Sequence, residues 1–83
     1  MTETEIRQAI LEAIGQIAPE ADPTAIRPED NLREALDIDS FDFLQVLIRL
    51  NRRLGVEIPE SDYTQLATFS GMIRYLSDKL AAH

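Results

Sequence analysis

The chain contains no cysteine, a single histidine and few basic residues, and these scarcities exclude several classes of protein. Without cysteine it can form neither a disulfide framework nor a thiolate zinc or iron–sulfur site. Eight Lys and Arg residues against 15 Asp and Glu give a net charge of −7, so the phosphates of nucleic acid would repel the chain. The longest nearly apolar stretch, residues 43–48, is too short to span a bilayer. The acidic first residues predict no secretory signal, and we expect a monomeric cytoplasmic protein without membrane insertion.

The same scarcities leave few side chains that could act in catalysis. The single histidine, His83, is the last residue of the sequence, and without it or a cysteine a nucleophile–base pair is hard to build. Ser40 lacks the flanking glycines of a G-x-S-x-G nucleophile elbow. Asp37, Asp39 and Asp42 form an acidic run, but the glycine and the terminal glutamate of a calcium-binding EF-hand loop are missing. We therefore expect no enzymatic activity and no metal centre.

Apolar residues make up 45% of the chain, which predicts a folded domain, residues 1–83, rather than an acidic disordered tail. Their spacing is helical, with no sustained alternation of the kind that marks strands. The pattern predicts helices at about 3–18, 40–54 and 61–66, and a last helix that begins after Thr68. The predicted fold is all-α: a small four-helix bundle with a long first loop and a short third helix.

Residues with strong capping preferences define the predicted helix ends. The expected N-terminal caps are Thr2 with Glu5 for the first helix, Asp39 for the second and Thr68 for the last. Gly55 is the expected left-handed residue that ends the second helix. Ser61 and Ser70 also lie near helix starts and are assigned to capping.

The long first loop, about residues 19–39, contains three prolines and cannot be a long helix. A structureless loop of this length is uncommon in a small domain unless it is functional or held down. We expect a helical turn at residues 30–36. The expected apolar anchors are Ile26, Leu32, Leu36 and Ile38.

The second predicted helix is apolar on two sides of a helical wheel. The expected core side comprises Phe43, Val46, Leu47, Leu50 and Leu54, and the narrower second side comprises Phe41, Leu44 and Ile48. Either other parts of the chain cover this second side, or it is a small exposed docking patch beside Ser40. Residues 29–42 carry six acids and one base, whereas residues 43–54 carry three arginines and no acid. Complementing the helix dipole could alone produce this change of sign.

The segment Leu36-Asp37-Ile38-Asp39-Ser40-Phe41, at the start of an apolar helix, resembles the signature of acyl carrier proteins. In that family an Asp-Ser-Leu-like triplet opens the second helix, and its serine carries 4′-phosphopantetheine. Gly55-Val56-Glu57-Ile58-Pro59 and then Leu66-Ala67-Thr68 resemble the turn after that helix, the short third helix and the Thr-capped fourth helix. With the acidity and the long first loop, the resemblance covers nearly the whole chain.

This resemblance implies a carrier. Ser40 would be the attachment residue and Asp39 part of the attachment motif. A phosphopantetheinyl transferase that uses coenzyme A and Mg²⁺ would form a phosphodiester on the serine hydroxyl, and acyl groups would ride as thioesters on the terminal thiol of the arm. The partners would be that transferase and the enzymes that load and use the acyl groups.

Two further sets of residues are expected to serve the carrier. Partner docking would use Phe41, Leu44 and Ile48, with Arg49 and Arg52 at the rim of this patch. By resemblance, the acyl chain would tuck between the second and third helices, where the matching positions are Val46, Leu50, Ile58 and Leu66. In the unloaded protein these four residues belong to the core.

The sequence departs from the family pattern in two places. Asp37 stands where carriers commonly have glycine, so the backbone there must accept a Cβ. Fatty-acid carriers are usually acidic along the second helix, where this chain has Arg49, Arg52 and Arg53, which favours a polyketide, lipid-modifying or other specialised pathway. Two alternatives stay open: an aminoacyl or peptidyl carrier, whose Gly-Gly-x-Ser motif is absent, and a helical interaction domain without a prosthetic group.

Overall fold

Helices account for most of the chain in this computed structural model, which describes residues 2–22 and 25–81; Pro23 and His83 lie outside the described residues. The helices are α1 (Glu3–Ile17), α2 (Leu32–Leu36), α3 (Ser40–Leu54), the 3₁₀ helix η1 (Glu60–Leu66) and α4 (Phe69–Ala81). The predicted all-α fold with a long first loop and a short third helix is confirmed, and α3 is the second helix of the prediction. No helix in the described part of the chain is long and apolar enough to cross a bilayer.

Predicted caps are present at several helix ends. Glu5 N–H donates to Thr2 Oγ1 at 3.2 Å and Thr2 N–H donates to Glu5 Oε1 at 3.2 Å, which completes a capping box and lowers the pKa of the Glu5 carboxyl. Gly71 N–H donates to Thr68 Oγ1 at 3.0 Å in the first turn of α4. Gly55, at φ 68°, ends α3 in the left-handed region.

The third helix differs from the prediction in type and in capping. It is a 3₁₀ helix that begins directly after Pro59 without a side-chain hydrogen bond at its cap, so the capping role assigned to Ser61 is wrong. The role assigned to Ser70 is also wrong: Thr68 caps α4, while the Ser70 N–H donates to Pro28 O at 2.8 Å. Side chains three positions apart lie on the same side of a 3₁₀ helix.

The core lies where α1, α3 and α4 turn their apolar faces toward one another. Its buried residues include Ile6, Ala9, Ile10, Ala13 and Ile14 of α1, Phe43, Val46, Leu47 and Leu50 of α3, and Phe69, Met72, Ile73, Tyr75 and Leu76 of α4. The predicted core side of α3 is therefore confirmed, with Leu54 half-buried at its end. Burial of each large apolar side chain stabilises the fold by about 1.5–3 kcal/mol.

The long first loop is held against the start of α4. Leu32 is 1% exposed, and Leu36 is also buried in the core. The Leu32 N–H donates to Ala67 O at 2.8 Å, and the Ser70 N–H closes a second contact on Pro28. Ile26 and Ile38 are half-buried against the core, so all four predicted anchors pack as expected. These contacts fix the position of α2, the helical turn that precedes α3.

A left-handed turn at Asp37 joins α2 to α3. Its backbone lies at φ 53° and ψ 49°, and Gly55 is the other described residue with positive φ. Asp37 N–H donates to Glu34 O at 3.3 Å and Ile38 N–H donates to Arg33 O at 3.1 Å, the paired hydrogen bonds of a Schellman ending. The left-handed backbone fits the glycine that the resemblance led us to expect at this position. Aspartate is one of the few other residues that enter this region readily.

The turn predicts a definite order of stabilities among Asp37 variants. Asp37→Gly should raise the free energy of unfolding by about 0.5–1 kcal/mol, because glycine adopts positive φ without a Cβ clash. Asp37→Ala should lower it by about 1 kcal/mol. Asp37→Asn is the control that removes the charge and keeps a residue tolerant of this backbone. Urea denaturation of the variants measures these differences, and an alanine variant more stable than the glycine variant would contradict the left-handed turn.

Candidate functional site

The candidate site is the N-terminus of α3, where Ser40 is the first helical residue and is exposed. Asp39 is the N-cap, as predicted: Asp42 N–H donates to Asp39 Oδ1 at 2.9 Å. The first backbone bond of the helix runs from Phe43 N–H to Asp39 O at 3.0 Å, so the N–H groups of Ser40 and Phe41 have no acceptor within the helix. The Ser40 hydroxyl therefore lies beside free donors and the positive end of a 15-residue helix, where a phosphate is stabilised.

Acidic side chains flank this helix start. Asp39 uses its carboxylate as a cap, and Asp37 and Asp42 lie within three residues of Ser40. Across residues 2–22 and 25–81, no group of three or more His, Cys, Asp or Glu side chains is arranged to hold a metal ion. The carboxylates oppose part of the attraction that the helix N-terminus exerts on an anion.

A groove of about 570 Å³ opens beside Ser40, between α2, the first two turns of α3 and η1. Its lining residues are Asn31, Arg33, Ser40, Phe41, Phe43, Leu44, Glu60, Tyr63, Thr64 and Ala67. Half of these residues are aromatic or aliphatic, and the polar ones are Ser40, two residues at α2 and two residues of η1. The residues present thus fit a group that is joined to the serine by a phosphate and continues as a flexible chain.

The acyl-pocket residues expected from the sequence lie elsewhere. Val46, Leu50 and Leu66 are completely buried in the core, and Ile58 is half-buried beside a separate cavity of about 270 Å³. None of these four residues lines the groove beside Ser40. Their role toward an acyl chain stays a prediction that would require the core to open.

Sequence reasoning missed several groove residues, chiefly those contributed by η1. Glu60 and Tyr63 are three positions apart, as are Thr64 and Ala67, and all four line the groove. Residues three positions apart share one side of a helix, so each pair presents two side chains to the groove. Ile58-Pro59 indicated an extended entry into this segment, but nothing in the sequence identified the tighter helix.

The expected docking residues divide between two neighbouring surfaces. Phe41 is 66% exposed, the large apolar side chain most open to solvent among the described residues, and with Leu44 it lines the groove of Ser40. Ile48 is half-buried and lines the smaller cavity together with Arg52. The second apolar side of α3 is therefore partly uncovered, and Phe41 is its most prominent member.

The arginines of α3 have different environments. Arg49 Nη1 donates to Gln16 Oε1 of α1 at 2.8 Å, and Arg53 forms an ion pair with Glu12 of α1. Within the described residues Arg52 makes no hydrogen bond or ion pair. Two of the three charges thus help to join α1 to α3, and Arg52 is the one left available at this surface.

Comparison with known proteins agrees with this geometry. The sequence profile of the family described as "Phosphopantetheine attachment site" matches residues 5–76, a span that contains the whole of α3 and its N-cap. The chain is 32% identical over 76 residues to an "Acyl carrier protein" of Thermosynechococcus vestitus, covering 88% of this chain and 94% of that protein. It is 35% identical over 82 residues to "Acyl carrier protein 2" of Ralstonia nicotianae, covering 99% of this chain and all of that protein.

A third relative comes from a longer carrier. The chain is 30% identical over 76 residues to the "Meromycolate extension acyl carrier protein" of Mycobacterium leprae, covering 92% of this chain and 65% of that protein. The fold and the matched site define a domain that carries 4′-phosphopantetheine. The chain belongs to the acyl carrier protein family. Carriers of this family work with a phosphopantetheinyl transferase and with acyl-handling enzymes.

Proposed function

We propose that this protein is a non-catalytic acyl carrier whose 4′-phosphopantetheine arm is attached to Ser40. The observation that carries the proposal is that Ser40 is exposed directly after the N-cap of α3 and lines a groove of about 570 Å³. The arm supplies the thiol that a chain without cysteine lacks, and acyl groups are held on it as thioesters. A cytoplasmic location stays a prediction.

In the attachment step, Ser40 Oγ forms a bond to the phosphorus that bears the pantetheine of coenzyme A. The bond from that phosphorus to the nucleotide half of coenzyme A breaks, and the nucleotide leaves. The hydroxyl proton would pass to a base of the transferase, and the Mg²⁺ that the transferase uses would neutralise charge on the phosphates. Within this chain, Asp39 holds the first turn in place, and the N–H groups of Ser40 and Phe41 would stabilise the negative charge of the phosphodiester.

The docking surface we propose is centred on Phe41, Leu44 and Ile48, with Arg52 at its rim and Arg49 toward α1. An apolar centre with a charged rim is the common plan of a transient interface. Because the rim is basic, it suits enzymes with neutral or acidic surfaces around their active-site entrance. This charge favours a specialised acyl pathway, such as polyketide or lipid modification, over ordinary fatty-acid synthesis.

For the acyl chain we propose the space between α3 and η1. The core would have to open there so that the chain could pass from the groove beside Ser40 to Val46, Leu50, Ile58 and Leu66, which do not line the groove in the unloaded protein. Each methylene that enters would contribute about 0.8 kcal/mol, so longer chains gain more from burial.

Ser40→Ala should abolish modification and leave the fold intact, because the side chain of Ser40 caps nothing in the structure. The measurement is the intact mass after co-expression with a phosphopantetheinyl transferase of broad specificity. The wild type and the control variants Ser61→Ala and Ser70→Ala should each gain the mass of one phosphopantetheinyl group, with melting temperatures close to that of Ser40→Ala. Modification of Ser40→Ala would contradict the assignment, and an unmodified wild type would favour an interaction domain.

Arg52→Glu should increase several-fold the rate at which a malonyl transferase of bacterial fatty-acid synthesis loads the protein at low salt. The added acid restores the charge that such enzymes meet on their usual carriers, and the gain should fade as salt screens it. Arg49→Glu should increase the loading rate less, because the Arg49 side chain is hydrogen-bonded to Gln16 of α1. Arg74→Glu on the exposed side of α4 is the charge-matched control. Equal gains from Arg52→Glu and Arg74→Glu would show that only net charge matters.

A further inference from the structure

Arg33 stands at the edge of the groove that begins at Ser40. It lies in α2, its side chain is exposed, and it lines the groove together with the serine. Its carbonyl accepts the Ile38 N–H at 3.1 Å within the left-handed turn that leads into α3. The backbone that carries the Arg33 guanidinium is therefore fixed relative to the first turn of α3, although Arg33 and Ser40 are seven positions apart in the sequence.

Arg33 is the single cation among the described residues that line this groove, and Glu60 is the single anion. In the part of the chain that the structure describes, the guanidinium of Arg33 takes part in no ion pair or side-chain hydrogen bond. The surrounding segment is otherwise acidic, with Asp37, Asp39 and Asp42 close to Ser40 in sequence. An unengaged arginine thus faces a site with an excess of negative charge.

A phosphodiester on Ser40 adds one more negative charge to this site. The N-terminus of α3 offsets part of the repulsion, but the effect of a helix dipole is small at an exposed position. A guanidinium presents two parallel N–H donors that match two phosphate oxygens, which the ammonium of lysine cannot do. Arg33 therefore supplies both the charge and the geometry that the carboxylates around Ser40 lack.

We propose that Arg33 is a positioning residue for the prosthetic group: its guanidinium binds the phosphodiester on Ser40 and directs the arm into the groove between α3 and η1. This inference rests on the proposed attachment at Ser40. Glu60, which lines the groove from η1, repels the phosphate and so favours the side of the groove nearer to α2. Held in this way, the arm begins along Phe41 and Leu44 instead of pointing freely into solvent.

The first measurement compares the unmodified and modified protein by NMR of arginine Nε–Hε groups. The sample is the full chain, modified with coenzyme A and a broad-specificity transferase. The Arg33 resonance should shift on modification and return toward its unmodified position as salt is added. The resonance of Arg74, which does not line this groove, should stay unchanged. An Arg33 resonance that does not shift on modification would overturn the proposal.

The second measurement follows the phosphorus itself in modified variants. In wild type, the ³¹P resonance should differ between the folded protein and the urea-unfolded protein. Arg33→Gln should lose much of that difference, Arg33→Lys should keep part of it as a point charge, and the control Arg74→Gln should keep all of it. The melting temperature should drop more on modification of Arg33→Gln than on modification of wild type.

The outcomes separate this inference from the proposed function. A wild type that takes up no phosphopantetheine on Ser40 overturns both. A modified protein whose ³¹P resonance and melting temperature are indifferent to Arg33→Gln overturns the positioning role and leaves Ser40 as the carrier residue. If Arg33→Gln folds but resists modification at saturating transferase, Arg33 serves recognition by the transferase, and the positioning role is again overturned.

Discussion

The attachment of the long first loop to the start of α4 is the constraint on which the rest of the site depends. The Leu32 N–H donates to Ala67 O at 2.8 Å, the Ser70 N–H donates to Pro28 O at 2.8 Å, and the Leu32 side chain fills the core. These contacts hold α2 in place, and the left-handed turn at Asp37 then sets the direction of α3. Ser40 is exposed at a fixed position because the residues before it are held by the contacts of the loop with α4 and by the turn at Asp37.

The distribution of charged residues along α3 is a second organising feature of the site. Acids gather near the N-terminus of α3 and arginines near its C-terminus, an arrangement that complements the helix dipole. The structure gives two of the arginines a further use, because Arg49 and Arg53 contact α1. Arg52 and Arg33 remain without partners in the described residues, one at the proposed docking surface and one beside Ser40. These two cations are thus available to meet negative charge from outside the fold.

Local chemistry made much of the fold predictable from sequence. Asp39 and Gly55 defined both ends of α3, because an Asx N-cap and a left-handed glycine act within a few residues of the chain. The four apolar anchors of the loop were predictable since a long loop needs buried side chains to hold it. The groove was not, because its walls come from α2, α3 and η1, and the way these segments pack against one another leaves no signal in apolar spacing.

The contacts that the arginines make could not be predicted from the sequence either. A helical wheel gives the angle at which Arg49 leaves α3, but the hydrogen bond to Gln16 spans 33 positions and depends on how α1 packs. For the same reason Arg33 was counted only as the one base in an acidic run. Its place at the groove follows from the turn at Asp37, which the family pattern indicated only as a glycine position.

Amide hydrogen exchange at Leu32 tests most directly the claim that the loop is fixed to α4 and thereby presents Ser40. In the unmodified protein the Leu32 amide, bonded to Ala67 O, should exchange as slowly as the amides in the middle of α3, because opening it requires the loop to leave the core. The Ser70 amide should be protected in the same way. Exchange of Leu32 at the rate of an exposed loop amide, with α3 still protected, would contradict the account.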